Sequence, residues 1–280
     1  MVDLDREETY LSDSQFFRFD LRDLPGSFSE PPAFPGPYQV EARGNSFWAG
    51  ELLSSVLPLG SGGTRLVLLG EGQEAEAATN SFSIGSSAFA DCFIPPHALA
   101  PYGYLHAGLH AGGAGDLAQA LERRLLAERA QLLPEIPTAD NPAKALAWSC
   151  FDYQPIFVVS PRYRGLAQAS QQLWTRITKL PSFTTPPAAA EFLLLAFESR
   201  HEQGDPYAVV ILGDDPELNL VVEIARSRTG AVFRLPSPPG NDLEQALGYW
   251  YRLAWTAYYT ALIQRADPGD LEALGQLYPA

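Results

Sequence analysis

Cysteine and positive charge are both scarce in this 280-residue sequence. Cys92 and Cys150 are its only cysteines, too few for a disulfide framework or a cysteine-based zinc site. They predict two buried thiols in a reducing, cytoplasmic setting. Lysine and arginine number 19 against 33 acidic residues, and the net charge of −14 excludes the basic surface of a nucleic-acid binder. An anionic membrane surface would repel the chain for the same reason.

Long apolar runs are lacking as well. The longest, such as RLVLLG and YAVVILG, are far shorter than the roughly 20 residues that span a bilayer. The start of the sequence, MVDLDREETYL, has acids where a signal peptide needs positive charge. These features predict a soluble protein that is not secreted. The sequence also has no P-loop, dinucleotide fingerprint or serine-hydrolase elbow, and no cofactor is expected.

Short apolar strands alternate with helical segments along the chain. This alternation predicts an α/β fold with mostly parallel sheets covered by helices on both faces, a three-layer α/β/α arrangement of the flavodoxin type. Residues 1–40 are expected to form a loop-rich arm, because proline and glycine interrupt them. Residues 41–150 are expected to form a first, reduced subdomain, and residues 151–280 a second one that ends in a long helix.

Several elements can be predicted individually. Buried strands are expected at 64–69, 155–160 and 207–213, and a further one in FADCFIPP. A helix is expected to begin at Asn141, because Pro142 then occupies the first helical turn, where proline is favoured. A second helix is expected in PPAAAEFLLLAFESRHE.

The segment DLEQALGYWYRLAWTAYYTALIQRADPGDLEAL predicts one long helix that is apolar nearly all round and stops near Asp267 and Pro268, followed by a short helix. Trp250, Leu253 and Tyr258 lie on one face, whereas Tyr251 and Trp255 cover much of the remainder. Such a helix must be buried on several sides. A second subunit that forms a homodimer is the favoured neighbour, and an internal core helix is the alternative.

Two motifs near the middle and the end of the chain carry a family resemblance. NPAKALA at 141–147 leads into PIFVVSP, and YYTALIQRADPGDLEAL lies near the end of the chain at 258–274. Both are similar to motifs of the bifunctional phosphoglucose/phosphomannose isomerases, which have a double sugar isomerase (SIS) fold. These proteins interconvert glucose 6-phosphate or mannose 6-phosphate with fructose 6-phosphate without a redox cofactor. The resemblance implies two SIS-like subdomains, a sugar-phosphate ligand and a cleft between the subdomains.

The first phosphate loop of that family resembles ARGNSFWAGELL at 42–53. The resemblance implies that Gly44, Asn45 and Ser46 contact the phosphate, with Ser46 at the position of the family's phosphate-binding serine. Small residues matter here because the ligand must approach the backbone closely. A plain turn from strand to helix is the alternative interpretation.

The second phosphate loop corresponds to LGEGQEAE at 69–76. Gly72 is retained there and Gln73 follows it, so both are candidate phosphate contacts. Glu71 and Glu74, however, stand where the family has hydroxyl side chains. Two like charges at about 4 Å repel by about 1 kcal/mol in water and by more at a partly buried site. A phosphate is therefore expected here only if the carboxylates turn away or a cation intervenes.

The catalytic groups match the family unevenly. FESRHEQ at 197–203 is similar to a family motif, and the resemblance makes His201 the ring-opening histidine. Glu198 and Glu202 are the accompanying carboxylates, and a solvated helix end is the alternative interpretation. The family's basic glutamate is replaced by Arg176, which cannot accept the proton. A non-catalytic sensor or a dimeric scaffold is therefore the alternative to an isomerase.

Three further candidates complete the set, and the family resemblance alone suggests one of them, His97. Arg162 follows the strand 155–160, at the strand end where α/β sheets bind ligands, although ion pairing is the alternative. His97 is the polar residue nearest to the family's arginine, but it is not equivalent. His106 and His110 have the i, i+4 spacing of metal ligands. No carboxylate or cysteine supports them nearby in the sequence, so no metal site is predicted.

Overall fold

Strands and helices alternate throughout the part of the chain that the computed structural model describes: residues 2–6, 14–26, 28–74, 80–186, 193, 195 and 206–270. The chain divides into two units. The N-unit contains Asp20–Leu126, and the C-unit contains Ala127–Pro268 with the residues up to Phe19. The division lies near residue 126 rather than near 150, because the helix that ends at Cys150 packs on the long helix of the C-unit.

Four parallel strands form the sheet of the N-unit. In chain order the elements of the first half are α1 Ser14–Asp23, β1 Tyr38–Arg43, α2 Phe47–Val56, β2 Thr64–Leu69, β3 Ser81–Gly85, β4 Cys92–Phe93, α3 Ala100–Ala111 and α4 Gly115–Arg129. The strand order is β1-β2-β3-β4, with Tyr38 opposite Thr64 and Arg43 opposite Leu69. All carboxyl ends of these strands therefore lie at one edge of the sheet.

Four parallel strands also form the sheet of the C-unit, in the order β6-β5-β7-β8. The elements are α5 Pro142–Cys150, β5 Gln154–Val159, α6 Leu166–Thr178, β6 Phe183–Thr185, β7 Tyr207–Leu212, α7 Pro216–Arg228, β8 Val232–Leu235 and α8 Asp242–Gln264. The predicted α/β class with parallel sheets and flanking helices is confirmed. The described residues include no helix that is both long and apolar enough to cross a membrane.

The two faces of the C-unit sheet bury alternate side chains of the same strands. Ile156 and Val158 of β5 pack with α7, whose contributing residues Leu218, Val221, Val222 and Ala225 follow a helical period. Phe157 points to the other face, where its ring meets Trp174 of α6 edge to face at 6.0 Å. Because both faces are covered, the strand is a continuous apolar run rather than an alternating one.

Three elements differ from the expectations drawn from the sequence. α1 lies inside the segment expected to be a loop-rich arm, because Phe17 and Leu21 share one helical face and both are buried. β3 lies in the stretch where no strand was expected, and β6 was not predicted. Both are short and carry polar side chains, so sheet pairing rather than hydrophobicity defines them. Most of the helix predicted in 186–202 lies outside the described residues.

The long helix α8 is buried on all sides within the single chain. Its fully buried aromatic side chains are Tyr249, Trp250, Tyr251, Trp255, Tyr258 and Tyr259. α5 and α6 pack against it, and the ring of Phe17 stacks on Tyr258 at 6.2 Å. The internal core helix, one of the two alternatives, therefore explains its apolar surface, and the homodimer stays a prediction without support from this helix.

A buried lysine fixes the start of α5. Asn141 caps this helix, because its side chain accepts hydrogen bonds from the N–H groups of Ala143 and Lys144 at 3.0 and 3.1 Å. The fully buried Lys144 ammonium donates to Asp5 Oδ1 at 2.9 Å and to the Pro134 carbonyl at 2.8 Å. The predicted start at Asn141 with Pro142 in the first turn is confirmed.

The Asp5 carboxyl is the only negative partner that the described structure gives this ammonium. Burial favours the neutral acid, but hydrogen bonds from Lys144 and Thr138 outweigh it and hold the pKa of Asp5 below its usual value. The stabilisation from Asp5 is therefore present above its unfolded pKa and is lost as the pH falls through the lower folded pKa.

We expect the replacement of Asp5 and the replacement of Lys144 to lower stability by unequal amounts. Asp5→Asn leaves a buried ammonium without a counter-charge and should lower the free energy of unfolding by about 3 kcal/mol at neutral pH. Lys144→Met leaves only a half-exposed carboxylate that water solvates, and should cost about 1 kcal/mol. Asp5→Asn should also flatten the acid-induced loss of stability.

Urea unfolding followed by tryptophan fluorescence measures these changes in the C-unit. This unit contains four of the five tryptophans: Trp148, Trp174, Trp250 and Trp255. Equal costs for Asp5→Asn and Lys144→Met would contradict the view that the buried ammonium dominates the energetics of the pair.

Candidate functional site

The turn after β1 carries three of the predicted phosphate contacts. Gly44 has a φ of +64°, in the left-handed region that favours glycine, and a 3-10 turn from Gly44 to Ser46 leads directly into α2. Ser46 is fully buried, Asn45 is half-buried and Gly44 is exposed. The strand, glycine turn and helix expected from the sequence are therefore present in this order.

The Ser46 hydroxyl is occupied by the protein itself. Its oxygen lies 2.8 Å from the Arg43 carbonyl and 2.9 Å from the Leu68 carbonyl, and it accepts the Arg43 N–H at 3.2 Å. A hydroxyl has one hydrogen to donate, and here carbonyl groups compete for it. Ser46 therefore joins β1 to β2, and a phosphate would have to displace one of these partners to reach it.

The turn after β2 is tied to the turn after β1 by hydrogen bonds. The Gly70 N–H donates to the Arg43 carbonyl at 3.0 Å, and the Glu71 N–H donates to Asn45 Oδ1 at 3.0 Å. Gly72 has a φ of +70°. A Cβ atom built on Gly44 would lie 3.6 Å from Cγ of Gln73, so these two residues are neighbours. The structure thus brings Gly44, Asn45 and Gln73 together.

Backbone donors for an anion are unevenly distributed between the two turns. In the second turn, the N–H groups of Gly70, Glu71 and Gln73 already have protein acceptors. In the first turn, the Phe47 N–H donates to the Gly44 carbonyl, but α2 has no side-chain cap and no acid in its opening turn, so no side chain offsets the positive end of the helix dipole there. The N-terminus of α2 is therefore the better anion site of the two.

The side chains next to α2 modify this site. Asn45 Nδ2 is buried and has no hydrogen-bond partner among the described residues, so it has a donor to offer to a ligand. Glu71 is 8% exposed and engaged in the protein, whereas Glu74 is exposed. The arrangement can accept a compact anion at the helix end, with the carboxylate of Glu71 as the opposing charge.

Arg162 lies in an ion-pair cluster at the carboxyl end of β5. Its guanidinium contacts the Asp214 carboxylate, lies 3.8 Å from Asp215 Oδ2, and donates to the Tyr163 hydroxyl at 2.7 Å. Tyr163 in turn donates to Gln245 Oε1 at 2.7 Å, and burial raises its pKa to about 12. The carboxylates neutralise most of the positive charge that Arg162 would offer an anion.

The predicted catalytic residues His201, Glu198 and Glu202 lie outside the described residues. Arg176, which the family resemblance aligns with the base, lies half-buried on α6. His97 is engaged in the N-unit, because its Nε2 lies 2.9 Å from Asp20 Oδ2 and its Nδ1 accepts the Leu99 N–H at 3.0 Å. Both of its ring nitrogens are therefore in use.

A second cluster was missed by sequence reasoning. Glu30 lies beside His106 and His110, and one potential ligand atom from each residue falls within 4.8 Å of the others. Burial and the neighbouring His110 lower the pKa of His106 to about 4, so its imidazole is neutral at physiological pH. The carboxylate that the sequence lacked nearby comes from a segment far earlier in the chain, and no local spacing could have indicated it.

Comparisons with known proteins found a family match for each half of the chain. The bacterial phospho-glucose isomerase C-terminal SIS domain matches residues 139–278, and the phosphoglucose isomerase N-terminal domain matches residues 17–113. Among solved structures, a glucose-6-phosphate isomerase like protein from Thermus thermophilus is 39% identical, with a TM-score of 0.88 and 99% of each chain covered. No curated protein matches the sequence significantly.

More distant structures share the fold alone. A hypothetical protein, also from Thermus thermophilus, is 12% identical, with a TM-score of 0.59 over 99% of this chain and 88% of the other. The C-terminal domain of glucosamine-fructose-6-phosphate aminotransferase from Francisella tularensis is 10% identical, with a TM-score of 0.51 over 94% and 93% of the two chains. The architecture therefore persists where little sequence identity remains.

Gly70 offers a direct test of the contact between the two turns. A Cβ atom there would lie 2.2 Å from Asn45 Oδ1 and 2.8 Å from the Arg43 carbonyl, far too close for either. Gly70→Ala should push the turns apart and lower the free energy of unfolding by about 2 kcal/mol. Gly230→Ala is the matched control, because no atom lies within 4 Å of its added Cβ. Thermal unfolding of both variants measures the difference, and similar melting temperatures would contradict the contact.

Proposed function

This chain belongs to the phosphoglucose isomerase family with a carboxy-terminal SIS domain, and from that premise we propose that it binds the phosphate of a phosphorylated sugar at the N-terminus of α2. The observation that carries the proposal is the uncapped start of this helix, directly after the Gly44–Ser46 turn. A phosphate at this position gains a favourable interaction with the positive end of the helix dipole.

Asn45 and Gln73 are the side chains proposed to complete the phosphate site. The unpartnered Nδ2 of Asn45 supplies a donor, and Gln73 lies against Gly44, on the exposed side of the turn. Gly72 and Gly44 keep the two turns free of Cβ atoms, so the ligand can approach the backbone closely. In this proposal Ser46 holds the turn rather than the phosphate.

Glu71 restricts which anions the site accepts. Its N–H donates to Asn45 Oδ1, and its carboxylate is buried beside the same turn. The repulsion from this carboxylate grows with the charge of the ligand. It should therefore weaken the binding of a bisphosphate several-fold more than the binding of a monophosphate. A sugar monophosphate is therefore the ligand class with the best support.

The proposed reaction is aldose–ketose isomerisation between glucose 6-phosphate or mannose 6-phosphate and fructose 6-phosphate. It needs a group that opens the sugar ring and a base that moves one proton between adjacent carbons, with no net oxidation and no cofactor. His201 is the proposed ring-opening group, and Glu198 or Glu202 is the proposed base, as the family resemblance implies. Arg162, with its charge largely neutralised, is a weaker candidate for sugar binding.

A non-catalytic sugar-phosphate sensor is the second candidate function. The observation that favours it is Arg176, which stands in place of the family's basic glutamate and cannot accept a proton. Either protein would act in the cytoplasm, which agrees with the free, buried Cys92 and Cys150. The proposed homodimer rests on the sequence alone, and light scattering of the purified chain tests it.

Asn45→Asp is the sharpest test of the proposed phosphate site. The change keeps an oxygen for the Glu71 N–H but replaces the free donor with a negative charge. The wild type should gain about 2.7 kcal/mol of stability from glucose 6-phosphate, fructose 6-phosphate or mannose 6-phosphate at about 100 times the dissociation constant, seen as a thermal shift. Asn45→Asp should lose this shift, whereas Asn219→Asp, on the exposed surface of α7 in the C-unit, should keep it. A normal shift in Asn45→Asp would exclude this site.

His201→Asn separates the enzyme from the sensor. If the chain is an isomerase, the variant should lose turnover by about 100-fold or more in a coupled isomerase assay, because proton transfer by a positioned side chain contributes that much. Sugar-phosphate binding in the thermal-shift assay should remain. Turnover that is absent from the wild type despite normal binding would favour the sensor, and unchanged turnover in the variant would exclude His201.

A further inference from the structure

Two histidines on α3 form the centre of a cluster that the sugar-phosphate function does not use. His106 and His110 are four positions apart on one face of the helix, and their ring centroids are 4.7 Å apart. His106 is 5% exposed, and the side chain of His110 is 12% exposed. The two rings are therefore fixed by burial rather than mobile on the surface.

Both histidines have a ring nitrogen without a hydrogen-bond partner among the described residues. These atoms, His106 Nδ1 and His110 Nε2, are buried from solvent. A buried polar atom without a partner costs about 1–3 kcal/mol, so such atoms call for a physical explanation. A neutral imidazole nitrogen that faces no donor keeps a lone pair available, which is the form that binds a metal ion.

Glu30 supplies the third potential ligand. Its Oε1 lies 3.9 Å from His110 Nε2, and its side chain is 64% exposed. The segment that carries it is held along α3 at two points. The ring of Phe28 covers Gly103, where a Cβ atom would come within 2.6 Å of the ring, and the Phe34 N–H donates to the Ala111 carbonyl at 2.9 Å.

We propose that Glu30, His106 and His110 form a binding site for a transition-metal ion of the Zn²⁺ class. Two imidazoles and one carboxylate are the donor set that Zn²⁺ accepts, whereas Mg²⁺ and Ca²⁺ need mostly oxygen ligands. Three protein ligands leave a fourth position open for water. This proposal is independent of the sugar-phosphate site.

The three potential ligands are already close to one another. Zinc ligands in a tetrahedral site lie about 3.3 Å from one another, given bonds of about 2.0 Å. The potential ligand atoms here already lie within 4.8 Å. The carboxylate of Glu30 is exposed and can swing inward, and small side-chain rotations close the remaining difference. A bound ion would also lie near the carboxyl end of α3, where the helix dipole favours a cation.

Bound metal would fasten the segment that begins at Phe28 to the end of α3. Before the metal binds, this segment is joined to the helix by apolar packing at Gly103 and by the backbone hydrogen bond at Ala111. Coordination adds a strong link between these two points. Because the metal binds the folded N-unit, it must also stabilise that unit against unfolding.

The test uses the full chain after treatment with a chelator that is then removed by dialysis. Titration with Zn²⁺ in a calorimeter should give one ion per chain and a rise in melting temperature. Co²⁺ should give the visible absorption of a site with tetrahedral coordination. Glu30→Gln should weaken Zn²⁺ binding by about tenfold or more, and His110→Gln should abolish it. His97→Gln is the matched control and should leave binding unchanged, because His97 pairs with Asp20 elsewhere in the N-unit.

Each possible result bears on the proposal. Saturable binding that both Glu30→Gln and His110→Gln reduce, and His97→Gln does not, supports the site. No saturable binding to the wild type would overturn it, and so would undiminished affinity in Glu30→Gln. Glu30 is exposed, so this variant stays informative even if circular dichroism shows that His110→Gln fails to fold.

Discussion

Burial of α8 is the constraint on which the C-unit depends. A helix of 23 residues with aromatic side chains on every face needs apolar neighbours all round, and α5 and α6 provide two of them. The hydroxyls on its aromatic rings then need partners inside the core. Tyr259 donates to the Leu132 carbonyl at 2.6 Å, and Tyr249 shares a hydrogen bond with Ser237 at 2.8 Å. These two hydrogen bonds hold the segments that contain Leu132 and Ser237 against the helix.

Charges around α8 and α5 complete this arrangement. Arg252 donates to the nearly buried carboxylate of Glu128 at 2.6 Å, and the Lys144 ammonium lies 5.7 Å from the centre of the Tyr259 ring. The motif that begins at Asn141 thus serves to cap α5 and to hold a buried cation. A motif that marks the family therefore has a structural role here, and its presence says nothing about whether the catalytic groups persist.

The elements predictable from the sequence are those whose own side chains carry enough apolar surface. β2, β5, β7 and α8 are of this kind, whereas β3 and α1 depend on partners supplied by the rest of the fold. The same division applies to the sites. The glycine turn after β1 is visible locally, but the use of the Ser46 hydroxyl depends on a carbonyl 22 positions away. Glu30 reaches the histidines of α3 because contacts at Phe28 and Phe34 hold its segment along this helix.

The proposed phosphate site and the proposed catalytic groups differ in how easily substitution removes them. The dipole at the uncapped start of α2 belongs to the backbone, and it persists as long as the turn from Gly44 to Ser46 keeps its shape. Proton transfer depends on single side chains, and one replacement of a glutamate by arginine, as the family resemblance implies at Arg176, removes a base entirely. A chain of this family can therefore lose the reaction while it keeps the ligand. In the acidic turn after β2, Glu71 contributes its N–H to Asn45, so this residue helps to hold the turn that leads into α2 even though its carboxylate opposes an anion.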